Sequence, residues 1–169
     1  MRTSLGLCVG SAIVVSCLGA PNAALADVNV APGGTASQST TANGGDASRA
    51  IDGNTNGDYG AGSVTHTDPA DAAPYWQVDL GREIELSRIV LWNRTGCCPE
   101  RLTSFRVSIL DGNGTEVEGD DFFTDLSYPD TTLAGFEWTI PAPVSGQTVL
   151  IDRLGPDITS LTILSLAEV

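Results

Sequence analysis

Short alternations of apolar and polar residues, each closed by turn formers, recur along the chain. Thr35 to Thr40 alternates small and polar side chains, and Tyr75 to Leu80 ends at Gly81. Ile84 to Asn93 is rich in β-branched and aromatic residues. Phe105 to Leu110 alternates cleanly and runs into Asp111-Gly112-Asn113-Gly114, a hairpin turn signal. Val117, Phe136 to Ile140, Thr148 to Ile151 and Leu161 to Leu166 supply further strands. No stretch holds a helical period between caps. The pattern predicts an all-β fold, an eight-stranded jelly-roll β-sandwich, in which strands build the core and end loops carry the ligand site.

The first residues follow a different rule. Met1-Arg2-Thr3-Ser4 gives a positive start, Leu5 to Ala20 is apolar and small, and Ala24-Leu25-Ala26 is an A-x-A cleavage site before Asp27. This predicts a secretory signal peptide over 1–26 and a single domain over 27–169. A membrane anchor would need about 20 apolar residues, and Pro21-Asn22 interrupts the run. Lipoprotein processing at Cys17, after Val14-Val15-Ser16, is the alternative route of export. The expected location is secreted, either extracellular or periplasmic.

Charge narrows the partners. The 169 residues include 8 basic ones, all arginine, against 21 acidic, for a net charge of −13. That balance opposes a nucleic-acid or anionic-membrane ligand, which would reward a basic face. Lysine is absent and histidine occurs once, which removes Schiff-base chemistry and His-rich metal clusters. No G-x-S-x-G elbow, H-E-x-x-H helix or Cys–His nucleophile is present. A non-enzymatic protein is expected.

Loss of the leader removes Cys8 and Cys17 and leaves the adjacent Cys97 and Cys98. In an oxidising compartment such thiols tend to pair. Their Cα atoms are ~3.8 Å apart, below the usual disulfide span of ~4.4–6.8 Å. A vicinal disulfide would thus be strained and locally rigid, suited to a stiff apolar platform. Free or intermolecular cysteines are the alternative.

Arg94 and Arg101 flank the cysteine pair in Asn93-Arg94-Thr95-Gly96-Cys97-Cys98-Pro99-Glu100-Arg101. The lone His66 stands upstream in Ser63-Val64-Thr65-His66-Thr67, which reads as a polar loop. Arginine offers donors only, and a neutral imidazole one donor. Their ligand should present acceptor oxygens, as vicinal sugar hydroxyls do, with an apolar face for the disulfide to cover. Taken singly, such a His is usually solvated and such arginines are usually surface charge. The combination with paired cysteines is far more specific.

His66, Arg94, Cys97-Cys98 and Arg101 together resemble the sugar-binding signature of the F-type lectins, or fucolectins, whose domain is a discoidin-like (galactose-binding-like) jelly roll. The similarity extends to Asn29-Val30-Ala31, Ala50-Ile51-Asp52-Gly53-Asn54, Tyr75-Trp76-Gln77-Val78-Asp79-Leu80 and Leu166-Ala167-Glu168-Val169. It implies a calcium-dependent lectin for L-fucose on fucosylated glycans. His66, Arg94 and Arg101 would hold ring and hydroxyl oxygens, Cys97 and Cys98 would pack on the sugar ring, and Tyr59 would touch the fucose methyl. The chain departs from the family at Gly96, where an acidic residue commonly orients the first arginine. Glu100 is a candidate to substitute for it.

Asp52-Gly53-Asn54-Thr55-Asn56-Gly57 begins like an EF-hand loop, but the twelfth position is Ser63 instead of a bidentate Glu, so that reading fails. By resemblance, Ca2+ would instead take main-chain oxygens of Arg49, Asn54 and Ala167 and side-chain oxygens of Asp52, Ser63 and Glu168. The competing reading is a discoidin-type module for another glycan, anionic or galactose-type, or for a protein. A single-site lectin gains avidity by multivalency, so a homo-oligomer stays open. No coiled coil or tandem repeat is visible in the sequence.

Overall fold

The computed structural model describes residues 28–123, 135–155 and 162–169. The leader therefore lies outside the described residues, as does the expected strand start at Leu161. Six strands form: β1 (Thr35–Gln38), β2 (Tyr75–Asn93), β3 (Ser104–Leu110), β4 (Glu116–Phe123), β5 (Phe136–Arg153) and β6 (Leu166–Glu168). All pairings are antiparallel. The order is β1-β2-β5-β3-β4, and β6 pairs with the far end of β2 through Trp92 and Asn93. The remaining regular pieces are short 3-10 turns. No helix among the described residues is long and apolar enough to cross a membrane.

The all-β jelly-roll class is as expected, with six described strands where eight were anticipated. The reason is local. The runs Tyr75–Leu80 and Ile84–Asn93 join into β2 across an irregularity between Asp79 and Ile84. Gly81 there takes a φ of +74°, a conformation open to glycine, so the chain bulges without ending the strand. Likewise Phe136–Ile140 and Thr148–Ile151 join into β5. At Gly146 a Cβ would stand 2.2 Å from Ile109 Cγ2, so only glycine lets β3 and β5 close there.

Strand alternation builds the core as the pleat requires. Trp76 and Val78 on β2, Phe105, Val107 and Ile109 on β3, and Val149 and Ile151 on β5 are buried together. An aromatic cluster of Phe105, Phe122, Phe136 and Trp138, with centroids 4.7–5.7 Å apart, closes one side. Trp76 buries its ring and satisfies its Nε1 by donating to Ala47 O at 3.0 Å. That bond anchors the 3-10 turn Ala47–Ile51, from which the loops of one end depart.

Candidate functional site

The segment Ser63–Thr67 is buried throughout, unlike the solvated polar loop the sequence suggested. Its polar side chains are there to be bonded. Thr65 N and Thr67 N donate to Leu166 O and Leu164 O at 2.8 and 3.1 Å. In return, Thr65 Oγ1 and Thr67 Oγ1 accept Leu166 N and Leu164 N at 2.9 and 2.8 Å. On the other edge His66 N donates to Gly45 O, and Ala42 N to His66 O. Every main-chain group named here finds a partner, which is what allows the run to be buried.

This zipper delivers His66, 5% exposed, to the outer end of the sandwich. Its Nδ1 lies 2.7 Å from Thr67 O and its Nε2 lies 3.0 Å from Arg101 Nη1. A carbonyl can only accept and a guanidinium only donate, which assigns the proton to Nδ1 and leaves Nε2 as the acceptor. The ring is neutral: burial holds its pKa below 6.5, helped by the Arg101 and Arg94 charges and opposed by the Thr67 hydrogen bond. His66 therefore offers an acceptor at the site, where the sequence reading expected a donor.

Arg101 sits in the 3-10 turn Pro99–Leu102 and is only 9% exposed. Arg153, at the end of β5, is also buried and donates from Nη1 to Arg101 O and Ile163 O, the latter at 3.2 Å. It thereby ties the Arg101 turn to the segment that runs through Leu164 into β6 and bonds the threonines flanking His66. Sequence reasoning missed Arg153, because an arginine closing an apolar strand looks like any surface charge until the fold buries it.

Arg94 and Tyr59 complete the cluster. The Arg94 guanidinium lies 4.6 Å from the Tyr59 ring centroid, and Arg49 lies 5.9 Å from the same ring. The Tyr59 ring meets His66 edge-on at 5.7 Å and its hydroxyl donates to Asn43 O. Cys97 and Cys98 are disulfide-bonded with Cα atoms 3.8 Å apart. Cys98, at φ +60°, is in the left-handed region and caps the turn that carries Arg101. Cys97 is exposed and Cys98 half-buried, so the bridge presents a surface at the head of the turn that carries the buried Arg101. The structure thus links His66, Arg101, Tyr59 and Arg94 through direct contacts and sets the Cys97–Cys98 bridge at the head of the turn that carries Arg101.

The residues expected to hold calcium lie in the loop over 49–63 and on β6, which meet. Glu168, 2% exposed, accepts Gly53 N on both carboxylate oxygens, at 3.1 and 3.2 Å. Val169 N donates to Ala50 O, so β6 also lies against the turn bearing Arg49. Arg49 Nη1 donates to Val64 O at 3.2 Å, next to the buried Ser63. The Ser63 hydroxyl donates to Asn56 O and Asp58 O. Burial raises the Glu168 pKa and the Asp52 charge adds to it. Among the described residues no cationic side chain answers this pair of carboxylates. No three His, Cys, Asp or Glu side chains converge among them either, so a cation here would rely on main-chain and hydroxyl oxygens as well. Such a mixed, oxygen-only set fits Ca2+.

Residues 49–149 match the model of the NedA-like, galactose-binding domain. The chain is 32% identical over 130 residues to a fucolectin of Anguilla anguilla, an alignment covering 72% of this chain and 79% of that one. It is 42% identical over 91 residues to fucolectin-6 of Anguilla japonica, covering 51% and 48%. The chain spans about half the length of most curated eel relatives it matches. Among solved structures, the lectin domain of lectinolysin complexed with Lewis B antigen superposes with a TM-score of 0.72 at 37% identity, covering 83% of this chain and 93% of that one. A fucose binding module of Streptococcus pneumoniae gives 0.72 at 33% identity, covering 83% and 94%. Fold and family model define a galactose-binding-like domain, and within that class the chain belongs to the F-type lectins, or fucolectins.

Proposed function

We propose that this domain is a non-catalytic, calcium-dependent lectin that binds L-fucose on glycans and is exported after removal of residues 1–26. The observation that carries the sugar reading is the bond between Arg101 Nη1 and the unprotonated Nε2 of His66. A hydroxyl entering there accepts from Arg101 and donates to Nε2, taking over both ends of that bond. Sulfate and carboxylate only accept, so they would leave Nε2 without a proton donor. This favours a neutral sugar over the anionic ligand that two arginines alone would suggest. Arg94 adds charge-assisted donors, and the Cys97–Cys98 bridge and Tyr59 supply apolar contact for a ring face and a methyl group. The names of the relatives, fucolectin and fucose binding module, point to the same sugar.

Calcium would take the main-chain oxygens of Arg49, Asn54 and Ala167 with Asp52, Ser63 and Glu168. It supplies charge neutralisation and crosslinking, and no bond-breaking chemistry. The residues of this chain do the recognition: Arg101 and His66 orient one hydroxyl, and Arg94 and the disulfide close over it.

Calorimetry with L-fucose, beside a fucosylated glycan array, tests the assignment. His66→Ala, Arg94→Ala and Arg101→Ala should each abolish array binding while the melting transition stays cooperative. Unchanged binding in all three refutes the site. A steep loss of binding with added salt would turn the reading toward an anionic ligand, because screening weakens charge attraction.

A further inference from the structure

Arg94 reaches the site without an acidic partner. Among the described residues no carboxylate lies within ion-pair distance of it, and its buried Nε has no acceptor. The Glu100 side chain, the candidate substitute, makes no hydrogen bond or ion pair there; its main-chain carbonyl accepts the Thr103 hydroxyl. What Arg94 meets is the Tyr59 ring, 4.6 Å from guanidinium carbon to centroid. A cation over an aromatic face is drawn to the ring quadrupole. Whatever fixes Tyr59 therefore fixes Arg94.

Tyr59 opens the 3-10 turn Tyr59–Ala61, and Asp58 caps it by accepting Gly60 N on Oδ1 at 2.9 Å. The same oxygen stands 3.1 Å from where a Cβ on Gly96 would lie. Gly96 is absent from the positive-φ residues, so its backbone does not call for glycine. The carboxylate across the gap is what crowds a side chain there, and it would have to give by a few tenths of an ångström to admit one. One residue earlier the relation is reciprocal. Gly57 O accepts Thr95 N at 2.8 Å and Gly96 N at 3.4 Å, and a Cβ on Gly57 would lie 2.6 Å from Asn93 O. Loop and turn close on each other through one glycine apiece.

We propose that Asp58 is a positioning residue of the ligand site: its carboxylate fills the space over Gly96 and holds the Tyr59 ring beneath Arg94. Gly96 then leaves room for this arrangement, and the orienting work of an acid at that position has passed to the Asp58–Tyr59 turn. The proposal deepens the fucose reading and rests on it for its link to affinity. Its consequence runs against the family pattern. Restoring an acid at position 96 sets a second carboxylate against Asp58 and pushes the turn away from Arg94.

Four proteins decide it: wild type, Asp58→Gly, Gly96→Asp and the double variant, which moves the carboxylate from loop to turn at constant composition. Gly96→Asp should weaken L-fucose binding about tenfold and Asp58→Gly about fivefold, whereas the double variant recovers most of the loss, the strong coupling of residues in contact. Tyr59→Leu, which removes the aromatic face beneath Arg94, should lose about as much as Gly96→Asp. Gly96→Asp binding as tightly as wild type, or single effects that simply multiply, overturns the proposal. If wild type shows no affinity for fucose, the sugar reading falls by itself. Melting temperatures of the same four proteins then still decide the Asp58–Gly96 contact, with additive shifts counting against it and a recovered double variant for it.

Discussion

The proposed role of His66 needs an unprotonated ring. Adding a proton to Nε2 would set donor against donor, and charge against charge, 3.0 Å from Arg101. In the unfolded chain the imidazole titrates near 6.5, and in the fold its pKa is lower. Between those two values the unfolded state holds a proton that the folded state lacks, so stability rises with pH across that window. The contribution is complete above 6.5 and is lost as pH falls through the folded value. Fucose affinity should be flat above neutrality and decline only on the acid side of 6.5. Calorimetry from pH 8 to pH 5, with an NMR titration of the single imidazole, reads both curves. Affinity that climbs on acidification would contradict the neutral tautomer. The candidate site was legible here, since His66, both arginines and the cysteine pair stand out by type and spacing. The tautomer was not, because it depends on the Thr67 carbonyl and on Arg101, which folding alone brings to opposite sides of one ring.

The element that places this residue is the Ser63–Thr67 run, held to Leu164–Leu166 by two threonine hydroxyls as well as by main-chain bonds. Thr65→Val keeps shape and volume but removes the acceptor of Leu166 N. An unsatisfied buried donor costs about 1–3 kcal/mol, and the melting temperature should fall by roughly 3–10 °C. Circular dichroism on the two proteins measures it, and an unchanged midpoint would show that the hydroxyl carries no weight. The core strands were readable because their apolar residues keep a period of two on one buried face. Ser63–Thr67 was not, since its burial is satisfied by polar groups and so leaves no apolar signature. The merging of four anticipated strands into β2 and β5 was hidden for a related reason. Gly81 and Gly146 look like strand-ending glycines, yet one accommodates a bulge and the other a close approach of Ile109.

At the scale of the molecule, the Asp52 loop and β6 meet although Gly53 and Glu168 are 115 residues apart in sequence. Their contact closes the end of the sandwich on which Tyr59 and His66 are mounted. It also concentrates negative charge in a chain that already carries −13. A buried carboxylate beside another, without a cation, costs free energy that a bound divalent ion would return. Calcium should therefore raise the melting temperature and tighten fucose binding in the same titration, and a chelator should reverse both. Glu168→Gln separates the charge from the shape. Without calcium it should melt at or above wild type, because the uncompensated charge is gone while the amide oxygen still accepts Gly53 N. With calcium it should gain little, whereas wild type rises. Equal calcium gains in the two proteins would show that Glu168 is not a ligand. No gain in either would leave the junction held by the Gly53 and Ala50 hydrogen bonds, with fucose affinity independent of the ion.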